Sequence, residues 1–178
     1  MDRFNELKEE IIRRCKEKSA CEYEFKKVLK SETTAELLTV IKNNFSWSCE
    51  NILDSEFIDK YKSEFNENNI FCNESRDSGY LLVCGGTIAN VRGGTIANVW
   101  GGTIDNVCGG TIANVRGGTI ANVCGGTIAN VRGNAYITSY NLFECKLHDN
   151  AIYRVRETNT IYYASNEIKF VKQDTNLD

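Results

Sequence analysis

The chain has 178 residues and a formal net charge of −3, a length that allows one compact domain or one domain with a small appendage. The mildly acidic balance argues against a general nucleic-acid binder or an anionic-membrane binder. No apolar run reaches the ~18–20 residues needed to span a bilayer, and the opening "MDRFNELKEEIIRRC" lacks the apolar centre of a signal peptide. A cytoplasmic location without membrane attachment is therefore expected.

Eight cysteines without an export signal point to free thiols in a reducing compartment. They form no CxxC pair, and His148 is the single histidine, so neither a zinc site nor any other metal or cofactor is expected. The absence of proline suits long, uninterrupted ladders of backbone hydrogen bonds.

The first residues read as helix. In "DRFNELKEEIIRRCKEK", Phe4, Leu7, Ile11 and Cys15 recur at spacings of three and four and form one apolar stripe. A second helix is predicted over Glu22–Leu29. A third lies in "TTAELLTVIKNNF", with Thr33 as N-cap and Glu36 closing a capping box. A short fourth is predicted in "SEFIDKYKSEF". Short amphipathic helices of this kind must pack on one another and on something else, and the expectation is a structural cap or docking domain over residues 1–68. The polar stretch "NENNIFCNESR" reads as a junction.

From Asp77 the period becomes eight. Strict units, Gly-Gly-Thr-Ile-x-Asn-Val-x, begin at Gly85, Gly93, Gly101, Gly109, Gly117 and Gly125. Degenerate octads continue in phase as "GNAYITSY", "NLFECKLH", "DNAIYRVR", "ETNTIYYA" and "SNEIKFVK", and "DSGYLLVC" precedes them. A fixed short period marks a solenoid, in which each unit buries its face by stacking on its neighbours. Thr, Ile and Val favour extended backbone, and Gly-Gly supplies the freedom a tight corner needs. The expected fold class is α+β: a helical N-terminal domain, then a β-solenoid over 77–172, with strict repeats at 85–132 and degenerate octads at 133–172. Twelve octads give six coils of two octads each, preferred here because small side chains suit a thin core; a triangular coil of three octads divides the frame as cleanly.

Val91, Val99, Val107, Val115, Val123 and Val131 face inward in either strand register. The Ile column (Ile88, Ile96, Ile104, Ile112, Ile120, Ile128) is expected inward too, because Ile is among the most buried residue types and Asp105 replaces Ala at the next position, which a dry core does not tolerate. "NLFECKLH" argues for the other register, with the third, fifth and seventh positions inside, so Thr87/Ala89-type positions remain the alternative. Asn90, Asn98 and their equivalents are expected to stack as amide ladders.

The eighth position varies: Arg92, Trp100, Cys108, Arg116, Cys124, Arg132. Large, charged and small residues interchange there, so it is read as facing solvent or a partner, and with Asp105 it forms the candidate binding surface. Sixteen residues per coil would align Arg92, Cys108 and Cys124 in one column and Trp100, Arg116 and Arg132 in the other, neighbours lying about 4.8 Å apart. Arg132 above Arg116 calls for a bridging anion or a partner carboxylate.

The frame "SGYLLVCGGTIANV", "GNAYITSYNLFECKLHDNAIYRV" and "TNTIYYASNEIKFV", together with the helical opening "FNELKEEIIRRCKEK", resembles octapeptide-repeat proteins of gut Bacteroidales and their phages or prophages. The resemblance spans almost the whole chain. It implies a β-solenoid and a mobile-element setting in a bacterial or phage-infected host cell, and it carries no activity and no site residues. Relatives built on Ser-Ala-Thr-Val units would favour the alternative register.

No phosphate-loop motif accompanies the glycine pairs. A Cys145–His148 nucleophile is weak, since the two need not share a face. Cys108 and Cys124 are expected to remain reduced. Trp47 reads as a packed aromatic, and Tyr136, Tyr140, Tyr153, Tyr162 and Tyr163 as a cap over the open solenoid end, or else a partner surface. Three functions follow from these features: a non-enzymatic protein-interaction scaffold, of which an anti-defence protein is one version; a structural protein that self-associates through its helices or solenoid edge; and a binder of ice or polysaccharide using the Thr column (Thr87, Thr95, Thr103, Thr111, Thr119, Thr127). The scaffold is favoured.

Overall fold

The computed structural model describes residues 2–164. Six helices come first: α1 (Arg3–Glu17), α2 (Glu22–Lys30), α3 (Thr34–Asn43), α4 (Phe45–Asn51), α5 (Ser55–Lys60) and α6 (Lys62–Glu67). The stripe on α1 buries Leu7, Ile11 and Cys15 as its spacing predicts. Thr33 caps α3 by accepting from the Glu36 amide at 3.2 Å, and the Glu36 carboxylate reaches back to the Glu32 amide at 2.8 Å. The predicted third helix ends at Asn43 and is followed by α4, which the pattern did not predict, and the predicted fourth divides in two. Asn44 stands between α3 and α4, and its side chain donates to the Val40 carbonyl at 3.0 Å, closing the end of α3. Tyr61, at φ −117°, ψ 38°, separates α5 from α6. Both breaks turn the chain so that Phe45, Phe57, Tyr61 and Phe65 all enter one helical core.

The sheet consists of β1 (Ile70–Cys72), β2 (Arg76–Val83), β3 (Thr87–Val99), β4 (Thr103–Val115), β5 (Thr119–Val131), β6 (Tyr136–Ser139), β7 (Lys146–Leu147), β8 (Ile152–Val155) and β9 (Thr160–Tyr163). β1 lies inside the stretch expected to be a junction: its apolar Ile70–Phe71 pair docks in parallel on Tyr80 and Leu81 of β2. Thr87 pairs with Thr103 and Thr103 with Thr119, so one coil is two octads, not three. Each 13-residue strand carries two octads through a bend at a Gly-Gly pair, and the next pair reverses the chain. At Gly102 the requirement for glycine is twofold: φ is +79°, and a Cβ would lie 2.6 Å from the Gly86 carbonyl oxygen in the coil beneath.

The core uses both registers. Octads beginning at Gly85, Gly101, Gly109, Gly117 and Gly125 turn their fourth and seventh residues inward, burying Ile88, Ile104, Ile112, Ile120 and Ile128 with their valines. The octad at Gly93 instead buries Thr95, Ala97 and Val99. Later octads bury or half-bury the third, fifth and seventh positions: Ala135, Ile137 and Ser139; Phe143, Cys145 and Leu147; Ala151, Tyr153 and Val155. The Ile column is buried as expected at Ile88, Ile104, Ile112, Ile120 and Ile128, while the Ile96 side chain lies outside the described ones; in that second unit Ala97 holds a core place beside Ile112, and in the octad 149–156 Tyr153 does. Pairing slips by one residue at two changes of pattern, Ala97 opposite Ile112 and Ile120 opposite Ile137. These are β-bulges that reconcile a strictly alternating strand with one that bends between its fourth and seventh residues.

The solenoid makes about five turns rather than the expected six. After β8 the chain turns through Asn159 at φ 50°, and β9 returns antiparallel on β8, Ile152 opposite Tyr163. The octad 157–164 therefore closes the stack instead of extending it. The final octad, 165–172, lies outside the described residues. At the other end the helices cover β1 and β2: Leu82 belongs to the helical core, Tyr80 meets Phe45 edge-on at 5.1 Å, and Cys72, Cys84 and Trp100 pack on the same cluster. Leu81 and Val83, on the opposite face of the same strand, belong to the solenoid core. Among the described residues no helix is long and apolar enough to cross a membrane.

Candidate functional site

Two octads per coil separate the eighth-position residues into the two columns expected, and the columns meet different surroundings. Trp100 is half-buried against the helical cluster. Arg116 pairs with Glu50 on α4, and its guanidinium lies 5.1 Å from the centre of the Trp100 ring. The carboxylate that the stacked arginines call for comes from the protein's own helical domain. Arg132, one coil further, is half-buried. Arg92, Cys108 and Cys124, on the other face, are exposed. Burial and a hydrogen bond to Cys124 push the Cys108 thiol up, against the opposing effect of Arg92. Asp105 is half-exposed beside the buried Ile104, as its replacement of Ala anticipates.

The asparagines form ladders. Asn114 donates to Asn98 at 3.0 Å and Asn130 to Asn114 at 3.4 Å on one face. Asn122 donates to Asn106 at 3.2 Å on the other, where Arg156 closes the ladder by donating to Asn122. Each amide satisfies the next in a semi-buried row, which fixes register as well as stability. The threonines do not make one regular face. They divide between the two sides of the coil, and Thr95 is buried, with its hydroxyl donating to the Arg76 carbonyl at 3.1 Å.

Cys145 and His148 are kept apart by strand alternation. Cys145 packs against the solenoid core, where burial pushes its thiol up, and His148 is exposed. Trp47 packs on the helical core as expected. The tyrosines of the terminal octads take different roles. Tyr153 is buried, its hydroxyl 2.7 Å from Ser139 Oγ and accepting from the Phe143 amide at 3.0 Å. Tyr162 stacks on it with ring centres 5.8 Å apart.

Tyr140, Leu142, Ile161, Tyr162 and Tyr163 of these terminal octads are exposed. A cleft of about 580 Å³ opens beside them, lined by Leu142, Phe143, Leu147, Tyr153 and Tyr162, with Glu144 and Lys146 among its polar residues. The sequence marked the tyrosines but not the cleft, which exists because "NLFECKLH" forms only a two-residue strand and leaves residues 140–145 looped over the last coil.

No protein-family model matches the chain, and the comparisons with curated proteins and with solved structures gave no match.

Proposed function

We propose that this chain is a non-enzymatic interaction scaffold that engages a protein partner through the C-terminal end of its solenoid. The observation that supports this reading is the asymmetry of the two ends. Helices bury the first coil, whereas the last described coil carries an apolar cleft lined by the exposed Leu142 and Tyr162 with Phe143, Leu147 and Tyr153, and Tyr140, Ile161 and Tyr163 are exposed in the same terminal octads. Exposed aromatic and aliphatic side chains at an apolar cleft characterise protein-binding patches. The eighth-position column that the sequence offered is a weaker candidate on one side, because Trp100 and Arg116 are engaged by the helical domain. Arg92, Asp105, Cys108 and Cys124 remain available as a secondary surface, with Arg132 half-buried on the helical side.

The resemblance to octapeptide-repeat proteins of gut Bacteroidales and their phages supplies the proposed setting, a phage- or prophage-encoded protein in the host cytoplasm with an anti-defence role as one version. The test is capture from a gut Bacteroidales lysate on the immobilised full chain, beside the double variant Leu142→Asp, Tyr162→Asp, with folding of both checked by circular dichroism. A protein retained by the wild type and lost from the variant supports the reading. Equal capture, or none, overturns it.

A second reading, self-association, is favoured by one specific feature: β9 ends the sheet with an edge that pairs with no other described strand. Sedimentation that stays monomeric from micromolar to millimolar concentration rules it out. Ice or polysaccharide binding stays the least favoured reading, since the buried Thr95 interrupts the required flat threonine face.

A further inference from the structure

The first four helices leave a pocket of about 220 Å³ between them. Its apolar walls are Phe25 and Val28 of α2, Val40 and Ile41 of α3, Trp47 of α4 and Ile52 just beyond. The residues of the α1–α2 connection that reach it are small: Cys15, Ala20 and Cys21 line it too, and the chain reverses there at Ser19, with φ 51°. Side chains of that size do not fill the space that the larger residues of α2, α3 and α4 enclose.

A polar strut crosses the pocket lining. Asn44, between α3 and α4, donates through its side-chain nitrogen to the Glu24 carboxylate on α2 at 3.0 Å and to the Val40 carbonyl at 3.0 Å. Both partners are acceptors, so the orientation of the amide is fixed and its oxygen serves neither. Among the described residues nothing donates to that oxygen. The other polar groups of the lining are already engaged. Glu24 also accepts from Lys27 at 2.8 Å, which balances its charge, and the Ser48 hydroxyl donates to the Ile41 carbonyl at 3.3 Å. Burial pushes the Cys15 thiol up to about 11, so it stays protonated at neutral pH. The pocket therefore combines apolar walls, no unbalanced charge and one open hydrogen-bond acceptor.

We propose that this pocket binds a free, neutral aromatic molecule of one or two rings with a single N–H or O–H donor, of the phenol or indole class. The ring lies against Phe25, Val28, Val40 and Ile41, and the donor meets the Asn44 side-chain oxygen. Size sets the upper limit on the ring system. An apolar cavity of about 150 Å³ takes benzene, so one of about 220 Å³ admits a second fused ring. Water competes poorly for the space, because a bound water needs about two to four polar partners and the Asn44 oxygen is one. Displacing weakly held water by an apolar group favours the ligand. The lining comes from four helices and their connections, so the ligand is surrounded instead of being laid against one face, as suits a small molecule. The site is separate from the C-terminal surface assigned to a protein partner, and the two readings stand or fall independently.

The test titrates the full chain, labelled in its valine and isoleucine methyl groups, with indole and follows the methyl resonances by NMR. Val28, Val40 and Ile41 are expected to shift together in one saturable transition with a Kd at or below about 1 mM, while Val91 and Val107 of the solenoid core stay in place. Indene has the same shape without the N–H donor and is expected to bind at least about tenfold more weakly, since the bond to Asn44 is not made. Val40→Phe fills the pocket from a half-buried wall position and should remove indole binding with the circular dichroism spectrum retained. In the unsubstituted protein, where no variant can misfold, the absence of any shift in these methyl groups up to about 5 mM indole overturns the proposal. Equal affinity for indole and indene overturns the ligand class. A folded Val40→Phe protein that binds indole unchanged overturns the location. N-acetyltryptophanamide binding as tightly as indole would give the pocket to a side chain of a protein partner and so overturn the free small molecule.

Discussion

Glu50 and Arg116 stand 66 positions apart in the chain and form an ion pair, with the Trp100 ring flanking the guanidinium. The pair and the ring tie α4 to the octads that begin at Gly93 and Gly109. An arginine column that in isolation would repel itself is thereby turned into part of the junction between the helical domain and the solenoid. Both partners are about one-third exposed, so the pair is screened and its contribution is modest.

Replacing Arg116 by Ala is therefore expected to lower stability. A double-mutant cycle with Glu50→Gln should give a coupling of about 0.5–1 kcal/mol in urea unfolding, of the size measured for exposed pairs. Trp100→Ala should cost more, about 2 kcal/mol, because an aromatic face packed on the helical cluster is lost. If Arg116→Ala leaves the urea midpoint unchanged, the column is not structural.

The corners make a sharper contrast. Gly102→Ala forces a side chain into a positive-φ position and against the Gly86 carbonyl, and should cost at least about 2 kcal/mol. Gly85→Ala meets nothing within 4 Å and has no left-handed φ, so the expected change is below about 0.5 kcal/mol. Paired thermal melts of the two variants check this, and equal losses would show that the corner geometry is wrong.

Much of this architecture was legible in the sequence because it follows from period. The spacing of Leu7, Ile11 and Cys15 gave a helical face, and the octad gave coils, corners, the Asn ladder and the split of Arg92, Cys108 and Cys124 from Trp100, Arg116 and Arg132. What stayed hidden depends on tertiary surroundings that period does not encode. Asn44 ends the helical pattern by turning its own side chain onto the Val40 carbonyl. Ala97 enters the core where the strand alternates strictly, a place the Ile pattern did not assign to it. Trp100, the one tryptophan in the repeats, was a visible signal that its position meets something large, yet nothing in the octad said that the partner would be α4.

The Asn ladder should carry measurable weight. Asn114 both donates to Asn98 and accepts from Asn130, so Asn114→Ala breaks two bonds in a part-buried row and should cost about 1–2 kcal/mol. Asn134→Ala, at the exposed Asn150 contact, should cost less than about 0.5 kcal/mol. Urea titrations of both variants, with unchanged slopes, are the check.

Asp54 predicts an acid-sensitive junction. Burial works to raise its carboxyl, but the hydrogen bonds from Arg14, at 2.6 Å, and from the Phe57 amide outweigh it and leave the group below its ordinary value. A depressed folded value means the stabilisation is fully present above the unfolded pKa of about 3.9 and is lost as pH falls through the lower folded value. Asp54→Asn keeps the cap on α5 but removes the charge. The variant should therefore show a shallower fall in urea midpoint between about pH 5 and pH 2 than the wild type. An identical slope in both proteins would assign the acid sensitivity elsewhere.

The two packing patterns in the solenoid bear on how such a chain finds its own alignment. Near-identical octads offer almost equivalent pairings displaced by a whole coil, and each mistaken pairing would still bury Ile and Val. The one-residue offsets at Ala97–Ile112 and Ile120–Ile137 sit where a bent inner face stacks on an alternating one, and a strand displaced by a whole coil would set unlike faces in those places. They act as index marks on an otherwise uniform thread, and so penalise slipped or swapped windings that the repeats alone would tolerate.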